Sequence, residues 1–301
     1  MAHEVFSIVG AKGVEYKGNK WTIDNKVKKT IVIAHGMVEY SFRYNDFALF
    51  LNKNGFDVFA LDHLAHGLNA ESPEKVGYWP KDGFDQCIEN IHLLIKKLKA
   101  EGREVFLFAH SMGSFMAQCY IERYPGEVGK VVLCGTGGKN PAAKMGAKIA
   151  SLHASCFGHA NKPSKLLNNL SFSGYFKKVP NKRTEFDWLS YDEGNVDRYI
   201  ADPYCGAIPT ANFFRSFVKG MSVVSDKKQI AKIDKNLKVL FIAGKEDPVG
   251  GYTETIKKLE KDYKAHGIEC EEHFYDKMRH EILNEAEKQV VYNDVLAFLT
   301  K

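Results

Sequence analysis

A serine stands between small residues at the end of an apolar run. Residues 105–109 read Val-Phe-Leu-Phe-Ala and are typical of a buried parallel strand, and residues 115–121 continue without a helix breaker until Pro125. This order predicts a sharp strand-to-helix turn at Ser111, which would present the hydroxyl at the carboxyl end of a sheet as a nucleophile. The alternative is a serine that only caps an ordinary helix.

The residues around this serine fit a nucleophile turn. Ala109 and Gly113 are small enough for strand and helix to pack closely, although Ala109 stands where the small-x-Ser-x-Gly pattern usually has glycine. The Met112 amide would lie at a helix N-terminus, where an unpaired N–H can stabilise a developing oxyanion. His110 completes the turn.

A second oxyanion donor is predicted on an earlier loop. Residues 30–34 form a buried strand that ends in His35, Gly36 and Met37. Beside a serine on a strand-to-helix turn, the loop after such a strand can donate a second N–H, and the glycine permits close backbone approach. We therefore expect Met37 and Met112 to act through their main chains.

A nucleophilic serine needs a base and an acid that orients the base. The acid is expected on a loop after a later strand, and residues 237–243 form one that is followed by Glu246, Asp247 and Pro248. Pro248 favours an extended conformation at Asp247, which makes Asp247 the predicted acid. Glu246 is the second choice, and a helix-capping carboxylate is the alternative role.

Eleven histidines are present, and three follow Asp247. His266 lies at an expected helix end and His273 lies inside an expected strand. Only His280 follows a strand on a short loop, before a helix predicted for residues 281–299. His280 is therefore the predicted base.

A histidine-rich loop follows the strand at residues 57–61. Asp62, His63 and His66 precede Gly67 and could suggest a metal site. No further ligand cluster accompanies them, so a hydrogen-bonded scaffold near the site is the preferred interpretation.

Composition bounds the other possibilities. The 301 residues allow one large α/β domain with an insertion, or two domains, and 45 % hydrophobic content provides a substantial core. No apolar run is long enough to span a membrane, no signal peptide is apparent, and a net charge of +5 is too mild to indicate nucleic acid. The scattered cysteines form no C-x-x-C pair, which predicts buried free thiols and a cytoplasmic protein. They are Cys87, Cys119, Cys134, Cys156, Cys205 and Cys270.

Strands and helices alternate along most of the chain, which predicts a mostly parallel sheet covered on both faces. The alternation stops at residues 136–212, a stretch rich in Gly, Asn, Pro and aromatic residues. We interpret residues 136–212 as an inserted cap, and residues 1–135 with 213–301 as the core.

The motifs together resemble those of bacterial lysophospholipase and monoacylglycerol lipase-like α/β hydrolases, a group also called serine-aminopeptidase-like. The matching segments are residues 35–39, 62–67, 109–113, 244–249 and 280–281. The resemblance covers nearly the whole chain and implies an eight-stranded sheet, a mainly helical cap after the sixth strand and carboxylic-ester hydrolysis without a cofactor. It implies Ser111 as nucleophile, Asp247 as acid and His280 as base. Val38 stands where several relatives have glycine, which could narrow the entrance.

Fold does not determine substrate, and three functions remain open. The first is an esterase or lipase for one acyl chain on glycerol or lysophospholipid. The second is a proline-iminopeptidase-like aminopeptidase, for which Asp192 and Glu193 could hold the substrate's ammonium group. The third is a non-catalytic binding protein on the same scaffold, which a complete triad disfavours.

Charge is unevenly distributed in the cap. Residues 139–183 contain nine lysines and arginines and no acidic residue, and they include apolar positions such as Ile149, Leu152, Leu166 and Leu170. One interpretation is a solvated basic surface over a small helical core. The other is a lid whose apolar face covers the acyl chain and whose basic face meets an anionic membrane. The sequence leaves the oligomeric state open.

Overall fold

The computed structural model describes residues 2–23, 28–138, 143–155 and 159–301. Eight strands form one sheet in the order β1-β2-β4-β3-β5-β6-β7-β8. The strands are β1 Ala2–Val9, β2 Glu15–Thr22, β3 Lys29–Ala34, β4 Asp57–Leu61, β5 Glu104–His110, β6 Lys130–Cys134, β7 Lys238–Gly244 and β8 Glu269–Tyr275. β1 and β2 pair antiparallel at one edge, and the six strands from β4 to β8 along the sheet run parallel. The expected α/β-hydrolase sheet is confirmed.

Successive residues of the central strands point to opposite faces of the sheet and enter two separate cores. In β5, Leu107 and Ala109 join the first core, whereas Phe106 and Phe108 join the second. The first core is covered by α2, α3 and α9, and the second by α1 and α10. Their ranges are α1 Asn45–Lys53, α2 Gly83–Ala100, α3 Met112–Arg123, α9 Glu254–Ala265 and α10 Lys288–Thr300. Burial on both faces explains why these strands are continuous apolar runs.

The remaining helices lie between β6 and β7. They are α4 Ala143–Ser155, α5 Lys165–Phe172, α6 Glu193–Ala201, α7 Ala211–Met221 and α8 Lys227–Ile230. α7 packs against α4 and also against α2, so it joins the inserted segment to the core. The predicted boundary at residues 212 and 213 lies within α7, and the division into core and cap stays a prediction. Within the described ranges, no helix combines the length and apolarity needed to cross a membrane.

The prediction of a last helix over residues 281–299 was wrong at its start. Residues 281–287 form turns, and α10 begins at Lys288. The reason is tertiary, because Glu281 and Glu285 are buried and bind groups of distant segments. Glu281 binds Arg43 and Asn195, and Glu285 accepts hydrogen bonds from the Ser190 hydroxyl and the Tyr191 amide.

Five cysteines are free and buried, as expected, and Cys156 lies outside the described residues. Desolvation raises the pKa of the Cys87 and Cys119 thiols to about 12, which favours the unreactive protonated form.

Candidate active site

Ser111 occupies the strained turn between β5 and α3. Its backbone adopts φ 52° and ψ −120°, a conformation that L-residues rarely take, and its amide donates to the Cys134 carbonyl at 3.0 Å. The hydroxyl makes no capping bond to the helix that it precedes. The helix-cap alternative is therefore wrong, and the hydroxyl is not engaged in holding the helix.

Two glycines allow the loop after β3, which carries Met37, to approach this turn. A side chain at Gly113 would collide with the carbonyl oxygens of Ala34 and His35 at the end of β3. A Cβ at Gly36 would lie 3.3 Å from the Ser111 Cβ, which places the loop directly beside the serine. Among the described residues, the amides of Met37 and Met112 donate no hydrogen bond. Both N–H groups are thus available for a negatively charged oxygen near Ser111.

The predicted acid and base are bonded to each other. The Nδ1 of His280 donates to Oδ2 of Asp247 at 2.9 Å, and Oδ1 of Asp247 accepts from the Val249 amide at 2.8 Å. Both side chains are buried. With Nδ1 committed to the carboxylate, the Nε2 of His280 carries the lone pair that a base needs.

His110 connects His280 to the turn at Ser111. It immediately precedes Ser111, its ring centroid lies 4.7 Å from that of His280, and its Nε2 lies 3.3 Å from the His280 carbonyl oxygen. The ring of Trp188, in the predicted cap, lies 5.1 Å from the His280 ring. The structure therefore brings the loops of Ser111, Asp247 and His280 together.

Glu246, the second choice for the acid, points elsewhere. Its Oε2 accepts a hydrogen bond from the Tyr191 hydroxyl of the cap at 2.5 Å. This contact favours Asp247 as the partner of His280.

The histidine-rich loop forms a hydrogen-bonded scaffold, which we call the neutral cluster (His35, His63 and His66). The Nε2 of His35 accepts from the His63 amide at 2.9 Å, and the Nε2 of His63 donates to the His35 carbonyl at 3.0 Å. Burial lowers the pKa of His35 and of His66 to about 3 and depresses that of His63 strongly, so all three stay uncharged near neutral pH.

Asp62 organises the same loop. Its carboxylate accepts from the amides of Ser41 at 2.6 Å and Leu68 at 2.8 Å, next to Gly67, where no side chain would fit. Burial, opposed by these hydrogen bonds, raises the pKa of Asp62 to about 6. Across the described ranges, no group of three or more His, Cys, Asp or Glu residues could hold a metal ion.

A second group of polar residues, mostly buried and not revealed by the sequence, lies beside the turn at Ser111. We call Glu39, Arg43, Glu281 and His110 the charged cluster. Arg43 binds Glu281 through two contacts of 2.6 and 2.7 Å and binds Glu39 at 2.7 Å, while His110 Nδ1 lies 3.1 Å from Glu39. Two signals in the sequence could have revealed this cluster. One is the Glu-x-x-x-Arg spacing beside the loop that carries Met37, and the other is the glutamate directly after His280.

Opposite charges keep the two carboxylates of this cluster ionised despite burial. Burial alone would raise the pKa of Glu39, but His110 and Arg43 hold it well below the usual range, and Arg43 likewise lowers the pKa of Glu281. Burial opposes charging of His110, but its hydrogen bond to Glu39 and the charge of that carboxylate raise its pKa above 6.5.

The cap reaches the site through its second half. The main-chain amide of Glu281 donates to the Leu189 carbonyl at 2.7 Å. The side-chain amide of Asn195, in α6, donates to the Glu281 carboxylate at 2.7 Å. Asp192 accepts from the Asn195 amide and caps α6, and Glu193 is exposed next to Arg183. The acidic pair considered for an ammonium group therefore has a local structural role at Asp192.

The chain is similar to known lipases. The chain is 25 % identical to a monoacylglycerol lipase of Mycolicibacterium smegmatis over 300 residues, which cover 97 % of this chain and 95 % of the relative. It is also 25 % identical to the human monoglyceride lipase, over 65 % of this chain and 58 % of that protein.

Among solved structures, a thermostable carboxyl esterase from Bacillus coagulans in complex with glycerol superposes with a TM-score of 0.92. It is 26 % identical, and the match covers 100 % of this chain and 98 % of the esterase. A monoacylglycerol lipase of Paleococcus ferrophilus shares the fold with a TM-score of 0.70 and 21 % identity, over 98 % of each chain.

The sequence pattern of one family matches residues 25–287, which is most of the chain. Its description is Serine aminopeptidase, S33. With the eight-stranded sheet and the strained serine turn already described, this match leads to one conclusion: the chain belongs to the serine aminopeptidase S33 family of α/β hydrolases.

Proposed function

We propose that this protein hydrolyses the ester bond of lipids that carry a single acyl chain, such as a monoacylglycerol or a lysophospholipid. Its broader class, carboxylic ester hydrolase, is that of its esterase and lipase relatives. The observation that carries the proposal is the His280–Asp247 pair beside the strained Ser111 turn, with the Met37 and Met112 amides unpaired next to it.

The proposed mechanism proceeds through an acyl-enzyme. The Oγ of Ser111 attacks the ester carbonyl carbon while the Nε2 of His280 takes the hydroxyl proton. Asp247 stabilises the resulting imidazolium. The amides of Met37 and Met112 hold the oxyanion of the tetrahedral intermediate. His280 then gives its proton to the departing alcohol oxygen. A water molecule, deprotonated by His280, attacks the acyl-enzyme, and the acid is released as Ser111 regains its proton.

The cap supports an acyl-chain substrate. Phe172, Tyr175 and Phe176 pack with Trp188 and Leu189 in one apolar cluster, and Trp188 contacts His280. An aromatic wall beside the base suits a hydrocarbon chain better than a charged peptide terminus.

The aminopeptidase alternative lacks a corresponding feature. Asp192 is used to cap α6, and the Glu193 carboxylate is 79 % exposed, so neither forms a buried ammonium site beside His280. We therefore keep ester hydrolysis as the proposed activity.

A fluorophosphonate probe and a substrate panel test the proposal together. We expect the probe to label the wild-type protein at Ser111, and Ser111→Ala to lose labelling and at least about 10³-fold in kcat while it folds normally. p-Nitrophenyl esters of increasing acyl length should be hydrolysed, and aminoacyl-anilides should not. Faster turnover of the anilides would replace the esterase with the peptidase, and an unlabelled wild-type protein would exclude both.

We further propose that the part of the cap that contains α4 and α5 contacts an anionic membrane surface. Met145, Ile149 and Leu152 of α4 are exposed apolar residues at helical spacing, and Leu166 and Leu170 of α5 are exposed in the same way. Lys148, Lys162 and Lys165 are exposed around them. Lys182 and Arg183, in contrast, pair with Glu185 and Asp197. Lys139 lies outside the described residues.

Vesicle sedimentation tests this contact. Each lysine near an anionic bilayer contributes about 1 kcal/mol, screened by salt. Charge reversal at Lys148, Lys162 and Lys165 should therefore weaken binding to anionic vesicles and spare turnover of a short soluble ester. Reversal at the paired Lys182 is the matched control and should have a smaller effect. Equal binding of the wild-type protein to anionic and zwitterionic vesicles at low salt would refute the contact.

A further inference from the structure

The loop that carries the Met37 amide contains a strained residue. Val38 has φ 47°, which lies in the left-handed region that favours glycine and is unusual for a β-branched side chain. Its side chain is buried. Such a conformation persists only where surrounding contacts hold it, so the contacts of Val38 and of its neighbours decide where the Met37 amide points.

The core holds one end of this loop. The Gly36 amide donates to Oε1 of Glu39 at 2.6 Å. The same oxygen accepts from the Tyr44 hydroxyl at 2.9 Å, and the other carboxylate oxygen binds Arg43 at 2.7 Å. Glu39 is therefore fixed by several partners, and in turn it fixes the His35–Gly36 peptide, one residue before the Met37 amide.

The cap holds the other end. The Val38 carbonyl accepts one hydrogen bond from the Tyr199 hydroxyl at 3.1 Å and a second from the Gly206 amide at 3.0 Å. Tyr199 lies in α6 and is buried, and the guanidinium of Arg43 lies 4.9 Å from the centre of its ring. Nearby, the Tyr40 hydroxyl donates to Asp202 at 2.6 Å. The Met37 amide thus lies between a contact from the core and a contact from the cap.

We propose that Tyr199 is a positioning residue for the oxyanion hole: its hydroxyl holds Val38 in the left-handed conformation and thereby aims the Met37 amide at the reacting oxygen. This proposal rests on the esterase function proposed above. It assigns the second half of the cap, around α6, a part in completing the active site. A tyrosine outside the core loops would then act on the chemical step without touching the substrate.

Tyr199→Phe tests the proposal, because it removes the hydroxyl and keeps the ring. We expect kcat for a short p-nitrophenyl ester to fall about tenfold with KM changed less than about twofold, since a misplaced oxyanion donor weakens transition-state binding. The affinity of a trifluoromethyl ketone, which forms a tetrahedral oxyanion, should fall in parallel. Tyr204→Phe is the matched control in the same segment, because among the described residues the Tyr204 hydroxyl makes no hydrogen bond.

Rescue separates positioning from a merely structural role. Glycine adopts the left-handed conformation without help, so Val38→Gly combined with Tyr199→Phe should recover kcat to within about threefold of Val38→Gly alone. The same pair of variants keeps the test usable if Tyr199→Phe in the Val38 background folds poorly. A double variant that stays tenfold below Val38→Gly, or a Tyr199→Phe variant indistinguishable from Tyr204→Phe, would overturn the proposal.

Failure of the Tyr199 proposal can be distinguished from failure of the esterase proposal. If the esterase proposal is wrong, the wild-type protein itself will show neither ester turnover nor probe labelling at Ser111. Normal wild-type turnover with no effect of Tyr199→Phe would remove only the role of Tyr199.

Discussion

Two sets of buried imidazoles lie at the same end of the sheet, and they differ in what they face. His280 and His110 face carboxylates, those of Asp247 and Glu39, at 2.9 and 3.1 Å. In the neutral cluster, His35 and His63 form hydrogen bonds with main-chain groups, and His66 binds the Leu64 carbonyl. The nearest carboxylate oxygen, that of Asp62, lies 3.9 Å from the Nε2 of His35, beyond hydrogen-bond distance. All five imidazoles are buried.

The difference shows how partners, more than burial, decide what a histidine can do. A buried imidazole beside a carboxylate can take a proton without creating an isolated charge, which a base needs. A buried imidazole whose hydrogen-bond partners are peptide groups stays neutral, and it contributes directional hydrogen bonds that hold a loop. The fold thus places the proposed base close to a set of histidines that supports the neighbouring loops.

The largest effect is expected when the carboxylate that faces His280 is removed, because His280 then resembles the histidines of the neutral cluster. Asp247→Asn leaves a similar shape but no acceptor charge beside His280, and we expect kcat to fall by about 10³ to 10⁴ with the thermal midpoint little changed. Glu246→Gln is the matched control and should retain most of the activity, because Glu246 binds Tyr191. The reverse pattern in steady-state kinetics would move the acid to Glu246.

The second largest effect is expected when a charge is removed from the charged cluster, and it concerns the free energy of unfolding. Glu281→Gln leaves Arg43 with one carboxylate fewer in a buried site, and we expect the free energy of unfolding to fall by about 3 kcal/mol in urea titrations. Asp46→Asn removes a 2.8 Å ion pair with Lys288 that is exposed, and it should cost less than about 1 kcal/mol. Equal losses would show that the buried pair contributes no more than a surface pair.

The neutral cluster should reveal itself in the pH dependence of stability. Because its folded pKa is about 3, His66 stays neutral in the folded protein at pH values where the unfolded chain, with a pKa near 6.5, binds a proton. Its contribution to stability is therefore lost as pH falls below about 6.5, with a slope of about 1.4 kcal/mol per pH unit. His66→Phe should reduce the measured slope between about pH 4 and 6 by that amount.

Two neighbouring residues bear on that measurement. Asp62, with a folded pKa of about 6, binds a proton in the folded state at a higher pH than in the unfolded chain, so it opposes the slope. This effect is present in the wild-type protein and in His66→Phe, so the difference between their slopes reports on His66. Trp79→Phe, at a ring that lies 6.0 Å from His66, should lower stability without changing the slope. An unchanged slope in His66→Phe would mean that His66 is protonated in the folded protein.

Much of the site's location could be predicted from local pattern. Apolar runs followed by Ser111, Asp247 and His280 indicate strand ends, and strand ends of a parallel sheet meet at one edge. The start of α10 could not be predicted, because residues 281–287 have an ordinary helical composition. Their glutamates are recruited by Arg43 and by the cap, and no local pattern records those distant partners.

The sheet, the order of its loops and the residue types that end each strand could be predicted from the sequence, because alternation of apolar runs and breakers is a local property. The pairing of side chains depends on the folded arrangement. The fold placed Asp247, and not Glu246, against His280, kept the histidines of the neutral cluster uncharged, and connected Glu39, Arg43 and Glu281 across the chain. Pairing depends on distance and burial between residues far apart in sequence, and these exist only once the chain has folded.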